Sequence, residues 1–290
     1  MNLPALTADQ IQITGIRTGE SLTRFEAKKN DVFLADRGFM RFAGIKHVLE
    51  NGGDVVGRFS PSQFTVFQPN AKNPFPLLSK LRALKYGQTG DWDVELQADK
   101  ERIQGRICAI KQSPHCREAE EKRVREHARR NNHMIADRTV ELCGYLLIFT
   151  TLPRETYSGD FIVKIYRTRW QVELLFKRLK SLLELGQLHK YDPVSIRTYL
   201  NGKMLIALLL EKMIRMAEAF PPENISPCAN YSIWREVHFL YFLFIRALLP
   251  AEFSLRFVLK NWNKVKLKLA EHTRKRVSAS AWLRYIASLK

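Results

Sequence analysis

Residues 32–60 decide the fold class, and they read VFLADRGFMRFAGIKHVLENGGDVVGRFS. An apolar run of strand length, VFLA, comes first. A helix-length segment, FAGIKHVLE, separates it from a second apolar run, DVVGRFS. A strand, a helix and a strand in this order are typical of a unit with parallel strands, and the glycine pair at 52–53 marks the end of the helix. The stretch predicts an α/β fold, and IQITGI at 11–16 predicts one further strand upstream.

Asp36 stands at the carboxyl end of the first apolar run and is followed by Gly38 and the predicted helix. In α/β sheets, polar residues at this end of a strand line the crevice in which ligands bind. Aspartate and glycine also serve ordinary turns and helix caps. The position therefore makes Asp36 a candidate site residue and leaves a purely structural role open.

Outward from this unit, the chain changes character twice. Between 68 and 154 it carries strand-like pieces without helices between them, which predicts an antiparallel insertion, and one charged segment that predicts a solvated helix. After Ser158 the pattern is helical almost to the end. We predict four parts: a partial α/β core at 1–67, a β-rich insertion at 68–157, core helices at 158–220 and a basic helical region at 221–290. The predicted strands are WDVELQ (92–97), RIQGRICAI (102–110) and ELCGYLLIFTTL (141–152), and the predicted helices are 117–132, 161–186, 195–220 and 238–249.

The charge of the chain points to a polyanionic partner. Its 47 Lys and Arg outnumber its 29 Asp and Glu, which gives a formal net charge of +18. Such an excess is most often a footprint for nucleic acid and less often for an acidic membrane surface. The longest apolar stretch, 239–249, is too short to span a bilayer, and the N-terminal residues resemble no secretory signal. We expect a cytoplasmic protein that binds nucleic acid and no membrane.

Four cysteines stand far apart without a C-x-x-C pair: Cys108, Cys116, Cys143 and Cys228. This spacing fits neither a zinc ribbon nor a dense disulfide framework. We predict that they are reduced.

Tyr166, Arg169, Glu173 and Lys180 are spaced by three, four and seven residues. On one continuous helix they would fall within an arc of roughly 60°, with an acid flanked by two cations and a phenol. Ordinary i,i+4 ion pairs on a solvated helix face explain the same spacing. Asp36 and Glu173 together offer the hard oxygen ligands that Mg²⁺ prefers, and Mn²⁺ is a possible substitute. Three carboxylates would hold a pair of such ions better than two.

The run from Tyr166 to Lys180, in the context YRTRWQVELLFKRLK, resembles the Y-R-E-K signature of the DDE transposases of the insertion-sequence-four family. ADRGF at 35–39 resembles the block that holds the second family aspartate, and the strand-rich stretch before the signature is similar to the family's β-insertion. The resemblance implies a ribonuclease-H-like core in which Asp36 and Glu173 are catalytic and bind the metal. It also implies that Tyr166, Arg169 and Lys180 contact DNA. Trp170 would stack on a displaced base or would be a buried core residue.

The implied activity is DNA transposition: binding of double-stranded transposon ends by a homodimer, then Mg²⁺-dependent strand cleavage and strand transfer. The first family aspartate lies upstream of the ADRGF block, yet 35 residues precede Asp36, and TGESLTRF at 18–25 resembles the text that follows that aspartate. Glu20 and Asp31 are poorly placed to replace it. We therefore expect an incomplete metal site and an unpaired edge on the VFLAD strand. An inactive DNA-binding or dimerising fragment that modulates an intact transposase, and a nuclease of the same fold, remain alternatives.

Overall fold

The computed structural model describes residues 10–15, 17–182 and 192–218. Two compact units divide the chain, one of residues 15–169 and one of residues 1–14 with 170–290. The predicted helix at 238–249, the basic tail and Cys228 lie outside the described residues. The predicted four-part division stays a prediction.

The predicted strand, helix and strand are confirmed in the first of these units. β1 (Val32–Ala35) and β2 (Asp54–Arg58) flank α1 (Phe42–Glu50) and pair in parallel, with Ala35 opposite Gly57. The helix ends where Gly52 adopts a positive φ of 75°, a conformation that glycine enters without steric cost. The chain therefore has a mixed α/β fold.

Six strands form one sheet in the order β1-β2-β6-β5-β4-β3. β2 pairs antiparallel with β6, and β6, β5, β4 and β3 then pair antiparallel in turn. The strands predicted after residue 68 thus extend the same sheet that holds β1. The prediction of a strand from residue 141 is wrong at its start, because residues 141 and 142 end a helix. The remaining elements of this unit are a short 3₁₀ helix at Leu22–Arg24, β3 (Thr65–Phe67), α2 (Leu77–Arg82), β4 (Thr89–Ala98), β5 (Glu101–Lys111), α3 (Pro114–Arg130), α4 (Asp137–Leu142), β6 (Tyr145–Thr150) and α5 (Gly159–Arg167).

The two faces of the sheet bury different helices. Ile45 of α1 packs in a core with Val55 and Phe149, whereas Ile162 of α5 packs in a second core with Val56 and Ile148. Adjacent residues of a strand point to opposite faces, so Val55 and Val56 place α1 and α5 on opposite sides of the sheet. The residue that ends β1 thus lies at the edge of a two-sided core.

Two further predictions about secondary structure are wrong. Residues 10–15 contain no strand and are mostly exposed; a strand needs a partner ladder for its backbone groups. The long helix predicted at 161–186 is interrupted, because α5 ends at Arg167 and α6 (Trp170–Leu182) begins after a turn. There the Thr168 hydroxyl donates to the carbonyl of Ile165 at 2.6 Å, which competes with continued helix. The Y-R-E-K residues consequently do not share one helix face.

In the second unit, α6 and α7 (Pro193–Glu218) are the described helices. α7 was predicted as a helix at 195–220, whereas α6 was predicted as the second half of the helix at 161–186. Among the helices that the structure describes, none combines the length and the apolar character needed to cross a membrane.

Candidate active site

Asp36 follows β1 directly, as predicted, and its carboxylate is held by the turn that leads to α1. The Arg37 amide donates to Asp36 Oδ1 at 2.8 Å, and the Phe39 amide donates to the Asp36 carbonyl at 3.0 Å. The side chain of Asp36 is 48% exposed. The carboxylate is therefore both fixed and open to a ligand.

Tyr166 and Arg169 converge on this carboxylate from the end of α5. The Tyr166 hydroxyl lies 3.5 Å from Asp36 Oδ1, and Arg169 Nη1 lies 3.6 Å from Oδ2. The guanidinium of Arg169 also stands 5.8 Å from the centre of the Tyr166 ring. Three of the predicted site residues, which are up to 133 positions apart in sequence numbering, thus form one cluster.

Burial keeps the phenol of Tyr166 protonated. The pKa of its hydroxyl is raised to about 12, first by loss of hydration and then by the negative charge of Asp36, while Arg169 and Arg58 act in the opposite direction. The side chain is 6% exposed. At neutral pH Tyr166 is therefore a neutral hydrogen-bond donor aimed at Asp36.

Sequence reasoning missed three charged residues beside this cluster. Arg58 ends β2, the parallel neighbour of β1, and donates to Glu120 of α3 at 2.6 Å. Arg37 lies 3.7 Å from the same glutamate. The rule that selected Asp36, a polar residue at the carboxyl end of a parallel strand, would also have selected Arg58. No pattern distinguishes Glu120 from the other acids of α3.

A buried arginine fixes the segment that leads into α5. Arg106 of β5 donates to Asp91 Oδ2 at 2.6 Å and to the carbonyls of Leu152 and Tyr157 at 3.0 and 2.9 Å. Ser158 then caps the helix by accepting from the amide of residue 161 at 3.3 Å. These bonds tie the start of α5 to the sheet and so position Tyr166 at its other end.

The model of the Transposase DDE domain family matches residues 7–210. The chain belongs to this family. Among similar proteins, the transposase for insertion sequence element IS421 of Escherichia coli is 29% identical over 219 residues, which are 73% of this chain and 59% of that protein. The transposase for insertion sequence element IS231F of Bacillus thuringiensis subsp. israelensis is 22% identical over 139 residues, 48% of this chain and 29% of that protein. No solved structure matches. This member of the transposase family thus spans less than two thirds of the length of these relatives.

The other predicted site residues of this transposase-family chain lie on α6, in the second unit. Glu173 is exposed in the first helical turn and Lys180 is exposed in the last turn. Trp170 is 49% exposed, so the interpretation as a buried core tryptophan is wrong. Asp36 is in the unit of residues 15–169, and each unit is described separately.

Three of the four cysteines are free, as predicted: Cys108 and Cys143 are buried and Cys116 is exposed. Within the described ranges, no group of three or more histidines, cysteines and acids is arranged to hold a metal ion.

Proposed function

We propose that this chain acts in DNA transposition, by binding the double-stranded ends of an insertion sequence and supplying part of the centre that cleaves and transfers a strand. The observation that carries the proposal is the convergence of Tyr166 and Arg169 on the half-exposed carboxylate of Asp36. Membership of the Transposase DDE domain family supports the same reaction class.

Asp36 and Glu173 are the proposed metal ligands. Both offer hard oxygen donors, and both side chains are exposed enough to meet an ion, so their chemistry fits Mg²⁺ or Mn²⁺. When bound, such ions polarise the phosphate and activate the attacking oxygen. Two carboxylates leave the coordination incomplete, and we propose that a third ligand joins them.

The chain's own cations hold the DNA strand in this proposal. Arg169 lies beside Asp36, and a guanidinium is well suited to bind a phosphate oxygen of the strand held there. Arg58 adds a further guanidinium beside Tyr166, and the protonated phenol of Tyr166 donates either to Asp36 or to a phosphate oxygen. Lys180 and Trp170 are proposed to contact the same DNA from α6, Lys180 at a phosphate and Trp170 by stacking on a base.

The finer assignments of fold and assembly belong to the same proposal. We take β1, α1 and β2 as the part of a ribonuclease-H-like core that carries Asp36, and the helices after Arg169 as its continuation. A homodimer on DNA, which would hold two ends together, and action at the bacterial nucleoid follow from the proposed reaction.

The test is a nicking assay on a supercoiled plasmid that carries the terminal sequences flanking the gene, with Mg²⁺ or Mn²⁺. We expect metal-dependent nicking that is lost in Asp36→Asn and in Glu173→Gln while binding of duplex DNA is retained. Asp99→Asn, in the exposed turn between β4 and β5, is the matched control and keeps the activity. Joining of the 3′ hydroxyl to a second DNA separates a transposase from a nuclease of the same fold.

An inactive DNA-binding or dimerising chain that modulates an intact transposase is the second candidate. It is favoured by the finding that the described residues contain no three-ligand metal cluster. It predicts DNA binding without nicking in either metal. Nicking that disappears in Asp36→Asn would reject it, and a chain that neither binds nor cuts DNA would reject both functions.

A further inference from the structure

Helix α3 carries two acids that are paired with arginines and three exposed cations that have no acidic partner among the described residues. Glu120 and Glu121 point towards the body of the unit, with side chains 18% and 21% exposed, and pair with Arg58 and Arg117. Lys122, Arg125 and Arg129 are exposed, and no described carboxylate pairs with them. The helix therefore presents three cations to solvent that form no ion pair with a described carboxylate.

Lys122, Arg125 and Arg129 follow one another at spacings of three and four residues, which places them on one face of the helix. We call these three residues the α3 stripe. At a rise of 1.5 Å per residue the stripe is about 10 Å long, comparable to the length of two or three successive nucleotides of a DNA strand. Glu118 and Glu126 are exposed on or beside the same helix face, so the stripe is a local track of three cations on a face of mixed charge.

The stripe lies on the helix that contacts the candidate site. On the inner side of α3, Glu120 binds Arg58 at the end of β2 at 2.6 Å and lies 3.7 Å from Arg37, the residue after Asp36. Both contacts are within the unit of residues 15–169. The stripe is therefore on the solvent side of a helix whose other side contacts the residues around Asp36.

We infer that the α3 stripe binds the phosphate backbone of duplex DNA next to the strand held at Asp36, and this inference rests on the proposed function. α3 contains no Phe, Tyr or Trp, and proteins that bind single strands rely on such rings to stack against bases. Exposed lysine and arginine without aromatic partners fit sequence-independent contacts to a duplex backbone. The stripe thus contributes affinity and orientation, while recognition of the transposon end is left to other residues.

The test compares the full chain with the triple variant Lys122→Gln, Arg125→Gln, Arg129→Gln. Glutamine keeps the helix propensity close to that of lysine and arginine. Affinity for a duplex of about 30 base pairs is measured by fluorescence anisotropy between 50 and 300 mM salt. Each lost phosphate contact lowers the slope of log affinity against log salt by about one. We expect a slope lower by about three and affinity weaker by about tenfold or more at the low-salt end.

The matched control removes the same charge elsewhere in the unit. Lys72, Lys80 and Lys100 are exposed; Lys72 follows β3, Lys80 lies on α2 and Lys100 lies in the turn between β4 and β5. Their triple exchange to glutamine should change the slope by less than one. An equal fall in the two variants would mean a general charge effect and would overturn the inference.

The remaining outcomes separate the inference from the proposed function. If the unaltered chain binds duplex DNA with salt dependence and the stripe variant does so equally well, the stripe is not an interface and the proposed function stands. If the unaltered chain shows no salt-dependent binding to duplex DNA, the proposed function itself fails. If the unaltered chain binds single-stranded RNA more tightly than duplex DNA and the stripe variant loses this preference, the partner that we infer is rejected. Unchanged thermal unfolding of both variants checks that each is folded.

Discussion

Replacing Arg106 by methionine should strongly destabilise the unit that contains the sheet. The side chain is 5% exposed, and it neutralises Asp91 while donating to two backbone carbonyls. Methionine has a similar length and no donor, so the exchange leaves Asp91 with Arg154 at 3.4 Å as its remaining guanidinium partner. Removing one partner of a buried ion pair costs about 3–5 kcal/mol of stability. We expect a loss of about this size in the free energy of unfolding.

The assay is native-state hydrogen exchange of the full chain, read at the slowest amides of β5 and β6. These amides report the opening of this unit specifically. A loss of less than about 1 kcal/mol in the free energy of unfolding would refute the reasoning, because a side chain with these partners should not be dispensable. Arg82→Met is the control: Arg82 binds Glu141 at 2.7 and 2.8 Å but is 65% exposed. Solvent screens such a pair, so the same amides should exchange as in the unaltered chain.

The double variant Arg106→Met, Asp91→Leu refines the test. Removal of Asp91 takes away the charge that the single variant leaves poorly compensated, so the double variant should lose less stability than the sum of the two single variants. Additive losses would show that the two residues act independently.

Three further predictions concern single positions. Tyr166→Phe should remove from a spectrophotometric titration a tyrosine that ionises near pH 12, not near pH 10. Because the raised pKa favours the neutral phenol in the folded protein, the stabilising effect of Tyr166 is present below pH 10 and is lost between pH 10 and 12. A midpoint near pH 10 in the difference between the two titrations would contradict the burial of the ring. Gly57→Ala should lower the midpoint temperature of thermal unfolding, because the new Cβ would collide with the buried side chain of Met40. Overpacking of this kind costs about 1–3 kcal/mol of stability. An unchanged midpoint would show that the Met40 side chain moves aside freely. Iodoacetamide at pH 8 should modify Cys116 before Cys108, because Cys116 is exposed whereas burial raises the pKa of the Cys108 thiol to about 12. Peptide mass spectrometry measures the order of modification, and the opposite order would count against the fold of β5.

The sequence predicted the strand, helix and strand around Asp36 because each has a local pattern: an apolar run, a helix-length segment and a glycine pair. It failed at residues 10–15, whose alternation resembles a strand, because strand formation depends on a neighbour that a local pattern does not specify. It also failed at Thr168, where one side-chain hydrogen bond ends a helix that periodicity alone continues.

The candidate site was predictable in part for the same reason. Asp36 was a candidate because of its place after a strand, and Tyr166 and Arg169 because of their resemblance to the Y-R-E-K signature, and the structure brings these three together. Arg58 and Glu120 are linked through a contact between residues 62 positions apart. Such long-range pairs arise from the sheet order, which sequence patterns did not indicate. The placement of Glu173 as a metal ligand stays a prediction.

The sheet order also affects how the chain folds during its synthesis. β2 pairs with β6, and Val55 is hydrogen-bonded to Thr151 across 96 positions of sequence. At about 5–20 residues per second on the ribosome, β2 waits on the order of ten seconds for this partner to be made. During that interval the second edge of β2 lacks its native neighbour and is open to wrong strand pairing. Because α5 follows β6 in the chain, Tyr166 and Arg169 are synthesised after the strand that pairs with β2. Substitutions that delay the pairing of β6 should therefore lower the yield of folded protein even when they leave its final stability unchanged.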